Sequence, residues 1–355
     1  MSARHENAVR VRVEGRLGRI TLNRPRAINA LDHAMVTAVD DALRAWEHDD
    51  SVVAVLLDGA GERGLCAGGD VRAIRASAYE GGRDAAAFWR DEYRLNARIA
   101  RYPKPYAAFM DGVVMGGGVG LSAHGGVRIV TERSAVGMPE TTIGFVPDVG
   151  GTRLLARAPG EVGTHMALTA APVGAGDAVH AGFADHVVPS ERLDDLADAL
   201  TRVTAADGVG AAVARFAVPA PDGDLAGHRH WIDACYAADT VEEIVDRLGA
   251  HGDPAAARAA GLIGRKSPTA LKVTLAALRR ARELPTLEAV LEQEFRVSCA
   301  ALSLPDLVEG VRAQVVDKDR EPKWLPDTLE SVTAADVDRF FAPSPFGSLG
   351  LVDDR

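Results

Sequence analysis

The segment Met115-Gly116-Gly117-Gly118-Val119-Gly120 constrains this chain more than any other feature. It follows Tyr106 to Met110, an apolar run short enough to be a buried strand. A strand that passes through glycines into helical sequence presents backbone N–H groups with no side chain in front of them. Such groups can hold a developing oxyanion. Two carboxylates come shortly after, in Pro139-Glu140 and Pro147-Asp148-Val149-Gly150-Gly151. Each can serve as nucleophile, base or acid. Acyl chemistry on a carbonyl substrate is the first reading.

A second cluster, Cys66-Ala67-Gly68-Gly69-Asp70, follows the apolar run Val52 to Leu57. One glycine cluster alone more often means a tight turn. Two at matching places, each between a strand and helical sequence, suggest two donors converging on one oxygen. Other motif readings fail. Neither cluster completes GxGxxG, because Leu121 and Ala123 stand where the third glycine belongs, and no GxxxxGK[ST] occurs. Ser122 is followed by His124 where a nucleophile elbow needs glycine. Cys66 reads better as a small packed residue than as a nucleophile. Pro147 breaks any single helix through Glu140 and Asp148, so a reversing loop is needed to aim both into one cavity. Taken singly, an acidic residue in a Pro/Gly loop is usually a solvated turn residue or a cap. Glu92, in Trp89-Arg90-Asp91-Glu92-Tyr93, reads as a solvent-facing helical charge, and His228-x-His230 as a surface pair.

Val9, Val11 and Val13 alternate with arginines as in a half-exposed strand, and Arg16 to Leu22 returns as a second. Met35, Val36, Val39, Leu43 and Trp46 mark a helix from about His33 to Glu47. A further helix is expected over Ala85 to Ala100, and another strand over Val127 to Val130. This alternation predicts an α/β core with crossover connections. After about Thr204 helical signals dominate, with Pro219, Pro221, Asp222 and Gly223 as a boundary loop. Ser267-Pro268 is an N-cap and N1 pair ahead of Leu271, Leu275 and Leu278, and Thr333-x-x-Asp336 is a capping box. The expected organisation is a catalytic core over residues 1–204 and a mainly helical region over 205–355 that packs on it.

The 355 residues, 47% hydrophobic, carry 40 basic and 50 acidic side chains, a net charge of −10. That argues against general affinity for nucleic acid or anionic membranes, but leaves room for a local basic pocket. No apolar run is long enough for a membrane span, and the N-terminus has no secretory pattern. Three well-separated cysteines, Cys66, Cys235 and Cys299, suggest reduced thiols and a cytoplasmic setting. No CxxC or HExxH occurs, so no metal site is expected.

Several stretches together resemble the enoyl-CoA hydratase/isomerase (crotonase) superfamily. They are Leu22-Asn23-Arg24-Pro25 with Asn29-Ala30-Leu31, the two glycine clusters, Pro139-Glu140-x-x-Ile143-Gly144, Glu309 to Ala313 and Lys318 to Pro322. The resemblance implies a spiral of ββα units with C-terminal helices, and an acyl-CoA thioester as substrate. By position, Gly69 and Gly117 would be the oxyanion donors. No separate cofactor is implied, since coenzyme A is part of the substrate, and a homo-oligomer is a possible assembly. Hydratases of this superfamily carry a glutamate where this chain has Gly120, so two-glutamate water addition lacks half its machinery. Glu140 matches their second acid. Asp148 matches a branch that hydrolyses short 3-hydroxyacyl-CoA thioesters in valine breakdown, where Glu92, Gly117, Glu140 and Asp148 would line the substrate site. Arg24 and Arg26 are candidates for the CoA phosphates, with Ala67 and Asp70 beside them. Enoyl-CoA hydratase or isomerase activity is the rival reading, and a non-catalytic acyl-CoA binder a weaker one.

Overall fold

The alternating valines form β1 (Val9–Glu14), which pairs antiparallel with β2 (Leu17–Leu22) across a turn at Gly15. The computed structural model describes residues 8–352. Beyond β2 the main sheet is parallel, and each new strand is reached through helix. The helix α1 (His33–Glu47) leads to β3 (Ala54–Gly59), and α2 (Val71–Tyr79) with α3 (Arg83–Ala100) leads to β4 (Tyr106–Met110). Then β5 (Val113–Met115) and α4 (Gly117–Ser122) precede β6 (Val127–Val130), β7 (Ala135–Gly137) and the short β8 (His186–Val187). The sheet order is β1-β2-β3-β4-β6-β8, and β5 pairs with β7 separately. The expected α/β core with crossovers is what forms. The sequence pattern gives no bounds for α2, which lies within a glycine-rich stretch with Asp70 capping its N-terminus, nor for the short helices between Gly151 and Thr201.

The chain divides into two compact units that interleave in sequence. The first holds residues up to Gly69, Arg94–Val136 and Val173–Gly223. It contains the main sheet, whose strand β4 is buried along its full length. One cluster of its core joins Leu17, Leu56, Phe109 and Ile129 of the sheet to Leu196, Leu200, Val213 and Phe216 of later helices. Elsewhere in this unit, a Cβ on Gly18 would lie 2.6 Å from the Trp46 ring, so the bare backbone is what admits that indole against β2.

The second unit holds Asp70–Tyr93, Gly137–Pro172 and the chain from Asp224 onward. It is almost entirely helical, as the sequence after residue 204 indicates. The Ser267 side chain caps the helix Pro268–Glu283, with proline at its first turn, and Leu271, Leu275 and Leu278 of that helix are buried. The Thr333–Asp336 capping box closes on both sides. One junction between the units is Gly223–Asp224. No helix among the described residues is long and apolar enough to cross a membrane.

Candidate active site

In the first unit the two glycine segments lie side by side. Cys66 N–H donates to Val113 O at 3.1 Å and Met115 N–H donates to Cys66 O at 2.9 Å, so the strand-end backbones zip together. Gly68 has φ +107°, and a Cβ there would approach Met115 O at 3.4 Å and Gly117 N at 3.8 Å. A Cβ on Gly118 would meet Cys66 O at 2.6 Å. Glycine is therefore required at Gly118 for the approach itself, and at Gly68 for the positive φ. Gly117 is the first residue of α4, where the N–H has no acceptor within the helix. Near Gly69, the contact with Leu31 runs from Leu31 N–H to Gly68 O at 2.8 Å and leaves the Gly69 amide out. Both candidate donors thus sit on adjoining segments of one unit. Cys66 is fully buried behind them, its thiol hydrogen-bonded to Asn29 O at 3.2 Å, which is a packing role.

The loop that carries Arg24 and Arg26 adjoins the same segments, since Ala67 N–H donates to Ile28 O at 2.9 Å. The Arg24 guanidinium is committed to Ala30 O at 2.6 Å and lies 3.5 Å from Asp32. Arg26 and Ala67 are exposed. Asp70 is half-buried and turns its carboxylate onto Ala73 N–H as a helix cap.

In the second unit four acids are buried together: Glu92, Glu140, Asp148 and Glu294, exposed by 2%, 6%, 5% and 1%. The sequence expectation of a solvent-facing Glu92 is corrected here. Its position on α3 is on the inward stripe, one helical step from Trp89 and next to Tyr93, both fully buried. Trp89 stacks on Phe145 at 5.3 Å between ring centroids. Phe145 N–H in turn donates to Glu140 O at 3.0 Å, so the stack anchors the 3₁₀ turn Glu140–Ile143 on α3. The turn ends at Gly144, φ +68°, where a Cβ would meet Asp306 O at 2.3 Å. Gly310 is equally tight: a Cβ there would meet Ile143 O at 2.3 Å.

Asp148 follows Pro147 in the loop before the helix α5 (Gly151–Arg157). Its Oδ2 accepts a 2.7 Å hydrogen bond from the Tyr93 hydroxyl, which is itself 2.7 Å from Ser298 Oγ. Glu294 caps α5 from afar: its carboxyl accepts from Gly150 N–H at 2.6 Å, Thr152 N–H at 3.0 Å and Thr152 Oγ at 2.5 Å. Glu92 Oε1 and Glu140 Oε2 are buried with no hydrogen-bond partner. Buried polar atoms of this kind are rare and mark places where a ligand or water belongs.

Burial pushes all four carboxyls up. Asp148 titrates at about 7, burial outweighing the Tyr93 hydrogen bond that favours its anion. Glu294 rises to about 8 by burial, restrained by its Thr152 and Gly150 donors. Burial raises Glu140 and Glu92 well above the usual carboxylate range, and the Asp148 charge raises both further. Sequence reasoning placed Glu140 and Asp148 as possible neighbours, but missed Tyr93, Ser298 and Glu294. One signal was available: Glu294 and Ser298 interrupt an otherwise apolar stripe through Leu287 and Leu291. Among the described residues no group of three or more His, Cys, Asp or Glu is arranged to hold a metal ion.

A parallel α/β sheet whose strand ends carry bare glycine amides, with buried acids in a helical unit, is the class of an acyl-transforming enzyme. Residues 17–341 match the family model described as enoyl-CoA hydratase/isomerase, and the chain belongs to that family, the crotonase superfamily. A mitochondrial 3-hydroxyisobutyryl-CoA hydrolase of Rattus norvegicus is 40% identical over 348 residues, 96% of this chain and 90% of the relative. A solved carnitinyl-CoA dehydratase from Mycobacterium thermoresistibile is 57% identical with a TM-score of 0.92, covering 96% of this chain and 98% of that one. An enoyl-CoA hydratase structure from Rhodobacter sphaeroides is 43% identical with a TM-score of 0.88, covering 96% and 99%. The mixed α/β fold with its C-terminal helical region is that of these structures. The three names divide between a hydrolase on one side and a dehydratase and a hydratase on the other.

Proposed function

We propose that this acyl-CoA enzyme is a thioester hydrolase that converts a short 3-hydroxyacyl-CoA, 3-hydroxyisobutyryl-CoA or a close analogue, to the free hydroxy acid and CoA. The observation that carries the reading is the burial of Asp148 with Glu140 in one cluster, while position 120 is a glycine. Hydration of an enoyl group by two glutamates needs a second acid at that position, and glycine moves no proton.

The reading requires the amides of Gly69 and Gly117 and the acids Glu140 and Asp148 to act on one substrate. The amides polarise the thioester carbonyl. Asp148, as the anion, takes the proton of Glu140. The Glu140 carboxylate then either attacks the carbonyl carbon or draws a proton from an attacking water. In the first route the C–S bond breaks, the thiolate takes the proton held on Asp148, and water cleaves the resulting mixed anhydride. In the second, the water oxygen adds directly while Glu140 keeps the water's proton, the same C–S bond breaks, and the thiolate takes the proton held on Asp148. A single turnover in ¹⁸O water separates them: label enters the Glu140 carboxylate only by the anhydride route. Glu92 is assigned to the substrate's 3-hydroxyl, which its unpartnered Oε1 could bind. Arg26, Arg24 and Ala67, with Asp70 next in sequence, are assigned to coenzyme A. A cytoplasmic setting and a part in valine breakdown go with this reading.

The test is thiol release across a panel of acyl-CoAs with and without a 3-hydroxyl. Rapid release from 3-hydroxyacyl-CoA alone supports the proposal. The dehydratase and hydratase names of the more identical solved relatives favour the rival. Loss of enoyl absorbance from crotonyl-CoA, with no thiol released from any member of the panel, would establish that rival and end the hydrolase reading.

A further inference from the structure

The Leu287–Ala301 helix touches the acid cluster at two points one turn apart. Ser298 meets the Tyr93 hydroxyl, and Glu294 holds the backbone just after Asp148. Phe295 lies between them in sequence and packs edge-on against the Tyr93 ring at 6.3 Å. Tyr93, Ser298 and Thr152 are completely buried. The backbone they frame is strained at Val149, φ +54°, next to Gly150, whose φ of +79° glycine accommodates. Ring, hydroxyl and backbone on both sides of Asp148 are thereby set by one helix face.

We propose that Tyr93, seated by Ser298, is a positioning residue whose hydroxyl holds Asp148 in both of its protonation states and so makes it the proton carrier of the cluster. The inference rests on the hydrolase reading for its catalytic consequence, and on the hydrogen-bond chain for its geometry. With Asp148 ionised, the carboxylate can only accept, so Tyr93 donates to it and Ser298 donates to Tyr93. With Asp148 protonated, the polarity of the chain reverses. Asp148 donates to the Tyr93 oxygen, Tyr93 donates to Ser298 Oγ, and Ser298 turns its proton to a carbonyl one turn back along its helix, as helical serines can. Each hydroxyl keeps its own proton, and no heavy atom has to move. The other titratable groups facing Asp148 are Glu92 on α3, Glu140 on the 3₁₀ turn and Glu294 on the Leu287–Ala301 helix. None of these has a comparable hydroxyl pair: Glu140 and Glu92 each leave an oxygen unpartnered, and Glu294 is held by two backbone amides and the single Thr152 hydroxyl.

Tyr93→Phe deletes the oxygen that Asp148 needs. The expected result is a pH–rate midpoint for thiol release that moves to higher pH by about one unit or more, as loss of a hydrogen bond to a charged group predicts. The KM for acyl-CoA stays within about two-fold, because no substrate contact is removed. Ser298→Ala moves the midpoint the same way by less, and adds nothing in the Tyr93→Phe background, since it acts through Tyr93. An unmoved midpoint in folded Tyr93→Phe, or effects that simply add, would overturn the proposal. If Tyr93→Phe does not fold, Ser298→Ala decides by the same readout: an upward midpoint supports, a fixed one refutes. Carboxyl ¹³C NMR of aspartate-labelled protein, with the Asp148 signal assigned from Asp148→Asn, follows the same titration without any turnover. If the unaltered enzyme releases no thiol, the hydrolase reading fails, yet this titration still passes or fails the role of Tyr93.

Discussion

The glycine segments of the first unit and the acid cluster of the second put opposite physics to use. At Gly69 and Gly117, the proposed oxyanion donors, the group is backbone, its charge is a fixed partial dipole, and its readiness does not vary with pH. At Glu92, Glu140, Asp148 and Glu294 the working groups are side chains whose charge is suppressed by burial. Bare amides cost the fold little, because glycine permits the close approach that aligns them. Buried carboxyls cost it stability, because each is held away from water with too few donors. Strained or destabilised groups of that kind persist where a function requires them.

The sharpest way to break this contrast is Glu140→Gln. We expect kcat for thiol release to fall by at least about 10³-fold with acyl-CoA binding retained, as loss of a nucleophile or base predicts. We also expect the melting temperature to rise, because a neutral amide replaces a group that resists ionisation there. Stopped-flow thiol detection and calorimetry check the two halves, and a fall in both activity and stability would mean that Glu140 is structural.

Gly118→Ala probes the other region. Its Cβ would sit 2.6 Å from Cys66 O, so the two glycine segments must part. Displacing one oxyanion donor is worth about 10²–10³ in kcat. The shape of the pH–rate profile should not change, since no titrating group is touched. A shifted profile would show that the two regions are not the separate devices described.

The cluster should also make stability pH-dependent. Asp148 ionises at about 7 in the folded protein against 3.8 for the ordinary side chain. Between those values the folded state holds a proton that the unfolded state has lost, so stability falls as pH rises through that window. Glu294 extends the decline to about pH 8. Urea unfolding at pH 5 and pH 8 should give the lower midpoint at pH 8, and Asp148→Asn should narrow the difference. Equal slopes in the two proteins would sink the assignment of the proton to Asp148.

The smallest effects are expected at the arginine loop. Arg26→Ala should raise KM for acyl-CoA a few-fold, about what one exposed phosphate contact is worth, with kcat unchanged. Arg24→Ala should lower the melting temperature as well, since that guanidinium is tied to Ala30 O and Asp32. Kinetics and thermal unfolding of the pair separate ligand contact from loop support.

Much of this was written locally. Strand alternation, the His33–Glu47 stripe, the Ser267-Pro268 and Thr333–Asp336 caps and both glycine clusters depend on neighbours a few residues away, so they can be read from the chain. Glu140 and Asp148 were legible as acids in proline-bounded loops. What only the tertiary structure decided is their environment. Glu92 looks like a surface charge until the Trp89–Phe145 stack and the buried Tyr93 place it inside. Ser298 and Glu294 look like polar interruptions of an apolar helix until Tyr93 and the Gly150 amide, more than a hundred residues away, arrive beside them. Conformation along a chain follows from short-range sterics and hydrogen bonding, whereas the charge a carboxyl carries depends on which distant groups displace the water around it.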